Sequence, residues 1–109
     1  MKLWIDDMRP APEGYELAQS VNKAKELILE WEKFYQGLSE CRGWECSIEL
    51  IDIDHDAGDF VCDGGDYIKL IDWLEETGRN YPIRIHSMNV VGVQNMRAII
   101  QRNGWTEVK

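Results

Sequence analysis

The sequence predicts an α/β domain with a mainly parallel sheet. Short apolar runs alternate with segments whose apolar residues recur at helical spacing, and glycine and proline fall in the connections between them. The best central run, Ser47 to Ile53, is nearly continuous in apolar residues apart from Glu49 and Asp52, as a strand covered on both faces should be. The 109 residues, 44% of them hydrophobic and five of them tryptophan, suffice for one core and not for two, so 1–109 reads as a single domain.

Taken in order, Lys2 to Ile5 is a short strand that ends in Asp6-Asp7. Met8 to Gly14 holds two prolines and a glycine and reads as a loop, and Tyr15 to Ala18 as a second strand. Ser20 caps a helix with apolar Ala24, Leu27, Ile28, Trp31 and Tyr35, ending near Gly37. Leu38 to Glu45 is a polar surface connection to the central strand. Beyond a glycine- and aspartate-rich loop, Tyr67, Ile68, Ile71 and Leu74 mark a second helix, stopped by Thr77-Gly78. Pro82 to Ile85 is the next strand, a helix from about Val90 carries Val93, Met96, Ile99 and Ile100 to Gly104, and Trp105 to Val108 is expected to close the sheet. Trp31, Trp73 and Trp105 read as core or core-edge residues.

Composition excludes several functions. No apolar run reaches membrane-spanning length, and the Lys2-Leu3-Trp4-Ile5 start is too short for a signal sequence, so a cytoplasmic protein with no membrane partner is expected. Cys41, Cys46 and Cys62 fit no zinc or redox spacing and read as free thiols. A net charge of -8 argues against a broad nucleic-acid surface, so a phosphate ligand would need a bound cation, a helix N-terminus or a few placed arginines. Nothing in the sequence sets the oligomeric state.

The only two histidines, His55 and His86, both lie where an apolar strand runs out. Parallel sheets bind ligands beyond the carboxyl ends of their strands. If the strands ending in Asp6-Asp7, in Asp54-His55-Asp56 and in His86-Ser87 are neighbours, those residues converge on one rim. Carboxylates without cysteine form a hard, oxygen-rich site suited to a magnesium or manganese ion. His55 and His86 could divide general-base and general-acid work, and Ser87 and Asn89 could bind phosphoryl oxygens beside the N-terminus of the last helix. Alone, Asp6-Asp7 reads equally as a turn pair, and His86 as a packed or surface histidine, since Arg84 two residues before it faces the same side of the strand. Asp59, Asp63 and Asp66 read as ordinary loop aspartates.

The acidic pair after the first strand, the strand ending in Asp54 and the strand ending in Ser87 resemble the response-regulator receiver domain. More narrowly, DDMRPAPEG, DIDHDAGD and IHSMNVVG resemble the signatures of the cyclic-phosphate processing receiver-like family of bacteria and their phages. The resemblance spans nearly the whole chain. It implies a three-layer sandwich with five strands in the order 2-1-3-4-5 and a first helix reduced to a loop. It also implies that Asp6, Asp7 and Asp54 hold a Mg2+ or Mn2+ ion, that Asp54 matches the receiver phosphoacceptor, and that Ser87 contacts phosphoryl oxygen. His55 and His86 match the histidines that set this family apart from ordinary receivers.

The activity implied is that of a metal-assisted phosphoesterase acting on a cyclic or terminal phosphate of a nucleotide or RNA end. A phospho-aspartate at Asp54 is a variant of that chemistry. A non-catalytic pseudo-receiver that binds a phosphorylated ligand or a protein on the same rim is the alternative. The chain departs from the family pattern where Val90 and Val93 flank Val91-Gly92 in place of a proline and an arginine, leaving Arg9 or Arg97 to supply a guanidinium. The glycine-tyrosine-aspartate that opens the following helix is matched only loosely by Gly65-Asp66-Tyr67. The only candidate for a receiver's strand-five lysine is Lys109, which argues against two-component signalling.

Overall fold

A computed structural model describes residues 1–35 and 48–109. Its elements are β1 (Lys2–Ile5), β2 (Tyr15–Ala18), α1 (Val21–Tyr35), β3 (Leu50–Ile53), a 3-10 turn (Gly58–Phe60), α2 (Ile68–Glu76), β4 (Ile83–Ile85) and α3 (Val90–Asn103). The four strands form one sheet in the order β2-β1-β3-β4, every pairing parallel. The expected neighbours β1, β3 and β4 therefore lie side by side. Met8 to Gly14 is a loop, as the reduced first helix requires.

The fifth strand is a correction among the described residues. Trp105 to Val108 runs beside β4 but forms only a single parallel bridge, Ile83 to Glu107, with Ile83 N–H donating to Thr106 O and Val108 N–H to Ile83 O. The Glu107 side chain accepts from the Arg97 guanidinium at 2.8 Å, tying this segment back to α3. β3 begins at Leu50, not Ser47, which lies outside the described residues with Gly37, Cys41 and Cys46. Cys62 is a free, exposed thiol.

Local chemistry sets the helix ends. Ser20 Oγ accepts from Lys23 N–H at 3.0 Å and donates to Asp63 at 2.6 Å, capping α1 and pinning the Asp63 loop to it. Asn89 caps α3 through Gly92 N–H at 2.9 Å, and Gly104 ends that helix in the left-handed conformation (φ 67°).

The sheet's two faces differ. Leu3, Ile5, Ile51, Ile53 and Ile83 alternate onto one face and are fully buried against Val21, Ala24 and Ile28 of α1, Leu70, Ile71 and Leu74 of α2, and Met96, Ile99 and Ile100 of α3. Trp31, Trp73 and Trp105 pack at the edge of this cluster. The crossovers β2-α1-β3 and β3-α2-β4 run in the same direction across the sheet, and right-handed crossovers of one direction place their helices on one face. Accordingly α1 touches α2 and α2 touches α3. The three-layer expectation is thus met in part: the described helices form one layer, and the opposite face carries Lys2, Trp4, Asp52 and Arg84. The loop after β1 folds toward that face, where Trp4 Nε1 donates to Arg9 O at 3.1 Å.

Candidate functional site

Each strand of the central trio delivers its trailing residues to the carboxyl rim. Asp6 follows β1 and is 1% exposed. Its Oδ1 accepts from the N–H groups of Met8 and Arg9, both at 2.9 Å, which leaves Oδ2 aimed across the sheet. Burial works to raise its pKa, but the two amides and His86 outweigh it and hold the carboxyl below the ordinary value. Asp54, after β3, is arranged likewise: Oδ1 accepts from His55 N–H at 2.7 Å.

His86 leaves β4 and reaches back over β3. Its Nδ1 lies 2.6 Å from Asp52 Oδ1 and its Nε2 2.9 Å from Asp6 Oδ2, while its ring stacks on Trp4 at 3.9 Å and 5°. Arg9 Nη1 donates to His86 O at 3.3 Å, closing the rim from the β1 side. The ring is only 10% exposed. Ligand atoms of Asp6, Asp54 and His86 all lie within 4.8 Å of one another. The 2.9 Å between Asp6 Oδ2 and His86 Nε2 is close to the roughly 3 Å edge of an octahedron with bonds of about 2.1 Å. A divalent cation that took the place of the proton between Asp6 Oδ2 and His86 Nε2 would meet two carboxylates and an imidazole, a donor set that fits it.

Asp7 stands just outside that trio, its carboxylate against Gly58. Burial, then the charges of Asp6, Asp54 and Asp59, push its pKa up. Gly58 has φ 54° and no room for a Cβ beside Asp7, so the turn after Ala57 needs glycine there.

His55 occupies the other flank. Its Nδ1 contacts Asp56 Oδ1 at 2.8 Å, and its ring lies on the backbone of Gly92 in the first turn of α3. The hydrogen bond from His55, opposed by burial and aided by Asn89, holds the Asp56 carboxyl below its ordinary value. Among the described residues no hydrogen bond reaches His55 Nε2.

The expected residues therefore gather, with altered roles. Both ring nitrogens of His86, expected to share acid and base work with His55, face carboxylates, Nδ1 toward Asp52 and Nε2 toward Asp6. Asn89, expected to bind phosphate, is engaged at both ends: Oδ1 caps α3, and Nδ2 donates to Asp56 at 3.3 Å. Ser87 Oγ accepts from Asn89 N–H at 3.1 Å and keeps its own hydrogen to donate. Arg97 is held by Glu107, leaving Arg9 as the guanidinium of the rim. Asp63 and Asp66 do structural work as expected, Asp66 accepting from Ala57 N–H at 3.0 Å. Sequence reading passed over Trp4 and Asp52; the signal available was an acid inside an otherwise apolar central strand.

Residues 1–102 match the family model of the cyclic-phosphate processing receiver domain. The chain belongs to that family. No curated protein and no solved structure matches it closely enough to add to this assignment. Within this receiver domain Asp6, Asp54 and His86 bring ligand atoms together at one rim, and no described helix is long and apolar enough to cross a membrane.

Proposed function

We propose that this receiver domain is a metal-assisted phosphoesterase that processes a cyclic or terminal phosphate of a nucleotide or RNA end. The observation that supports it is the assembly of Asp6, Asp54 and His86 within one ligand sphere, at the strand ends that also carry His55, Ser87 and Arg9. A magnesium or manganese ion held there would offset the carboxylates and stabilise negative charge on phosphoryl oxygens.

The chain's own groups supply the rest. Asp56, kept ionised, accepts from His55 Nδ1–H and so leaves the Nε2 lone pair to take a proton from an attacking water. Asn89 steadies Asp56, which fixes the ring that Asp56 holds. Ser87 Oγ–H and the outer guanidinium nitrogens of Arg9 are donors for phosphoryl oxygens. The exposed side chains Met8, Met88, Val90 and Val91 border the same rim and offer an apolar rest for a nucleobase.

The test is turnover. Purified protein with Mg2+ or Mn2+ is expected to open a 2',3'-cyclic nucleotide, and His55→Ala and Asp6→Asn to abolish this with an unchanged circular dichroism spectrum. Calorimetric binding of the nucleotide with no consumption would overturn the enzyme reading in favour of a binding module.

A further inference from the structure

The carboxylate of Asp52 is a cost the fold does not require. It is 1% exposed on the central strand, between Ile51 and Ile53, and burying a charge is unfavourable unless a partner compensates. Its nearest partner is His86 Nδ1 at 2.6 Å; Arg84 stands off at 3.9 Å. A carboxylate only accepts, so Asp52 calls for N–H at Nδ1 and Asp6 for N–H at Nε2; a cation that displaced the Nε2 proton would leave Nδ1–H on Asp52 and Nε2 facing Asp6 and Asp54. Trp4, stacked on the ring at 3.9 Å, opposes its tilting out of that plane. A half-turn of the ring would put carbon against both carboxylates and lose both contacts.

A histidine whose distal nitrogen is held by a carboxylate while the other faces a ligand sphere has the arrangement that orients metal-binding imidazoles and raises their basicity. Magnesium prefers oxygen and keeps its waters, whereas imidazole nitrogen favours first-row transition ions.

We propose that Asp52, assisted by Trp4, is a positioning residue that presents His86 Nε2 as a metal ligand, so that the Asp6, Asp54 and His86 site selects a transition-metal ion over magnesium. This rests on the cation site of the proposed function. It narrows the ion from an oxygen-only class to one that accepts nitrogen.

The test uses the full chain loaded with Mn2+ alone, without any nucleotide. Pulsed electron paramagnetic resonance is expected to show a directly bonded imidazole 14N in the wild type, lost in His86→Gln. By calorimetry, Zn2+ is expected to bind at least about tenfold more tightly than Mg2+, and Asp52→Asn to weaken Zn2+ by about 10- to 100-fold, with little change for Mg2+. A manganese spectrum with oxygen ligands only, or equal effects of Asp52→Asn on both ions, would overturn the inference. The wild-type spectrum decides even if the variants fail to fold. Hydrolysis of a cyclic nucleotide with no nitrogen coupling would sink this inference alone, whereas nitrogen coupling without hydrolysis would sink the phosphoesterase reading alone.

Discussion

Gly92→Ala separates what α3 gains from what the site loses. A Cβ built at Gly92 would meet His55 Cδ2 at 2.5 Å and Nδ1 at 2.8 Å, with Cγ nearer still. Carbon contacts are comfortable at about 3.5–4.0 Å, so the ring must retreat by about 1 Å. In the helix the change is favourable, since alanine is better than glycine there by up to about 1 kcal/mol. Against this stand the strain of overpacking, about 1–3 kcal/mol, and the disturbed contact between His55 and Asp56, worth about 1 kcal/mol. The net is a loss of about 1–3 kcal/mol, which the domain should survive. Activity should suffer more, because displacing a proton-carrying nitrogen by about 1 Å can cost on the order of 100-fold. Thermal denaturation, imidazole 1H–15N correlation spectra and cyclic-nucleotide hydrolysis measure the three effects. A variant stabilised by about 1 kcal/mol with unshifted His55 ring resonances would refute the packing of His55 on α3.

Gly58→Ala should lower stability by about 1–3 kcal/mol in chemical denaturation, because φ 54° is strained for alanine and its Cβ would press on the Asp7 carboxylate. Ser20→Ala removes the α1 cap and the tie to Asp63, and a loss of about 1 kcal/mol is expected in urea melts. Burial pushes the Glu32 carboxyl up, but the hydrogen bonds from Arg79 and Tyr81 and the Arg79 charge together outweigh it, so its folded pKa lies below the ordinary value. A depressed carboxylate stabilises above its unfolded pKa, about 4.5, and loses that contribution as pH falls through the folded one. Glu32→Gln should therefore lose less melting temperature between pH 7 and pH 3 than the wild type does, and an equal loss would show that this pair does not drive acid unfolding.

The parts of the site legible in the sequence were those carried by strand ends. Asp6, Asp54 and His86 could be placed on one rim because parallel strands release their chains on the same side, and an acid or histidine after an apolar run marks that point. Asp52 and Trp4 were not legible in that way. Their role depends on Trp4 pairing in register with Asp52, Asp52 with Arg84, and the His86 side chain folding back across β3, none of which a linear pattern encodes. Asn89 was legible only in part for a related reason: an asparagine before a helix serves equally as cap and as ligand, and the bonds to Gly92 and Asp56 appear only in the fold. The last strand failed at Trp105 to Val108 because its apolar, β-prone composition says nothing of how many residues find partners on β4.

The uneven covering of the sheet explains why the site has the depth it has. With α1, α2 and α3 gathered on the face of Leu3, Ile51 and Ile83, the opposite face carries no described helix, and its central positions are open to polar side chains. Trp4, Asp52 and Arg84 occupy those positions in adjacent register, and the loop after β1 closes over them through the Trp4 to Arg9 bond. His86 can then stack on Trp4, with Asp52 against one ring nitrogen and Asp6 against the other. A helix packed on that face would demand an apolar residue in place of Asp52 and would compete with the His86 ring for the surface of Trp4. Replacing the first helix by a loop therefore has a geometric consequence: it leaves room for the His86 ring to lie inward of the strand ends, with a ring nitrogen within 4.8 Å of carboxylate oxygens of Asp6 and Asp54.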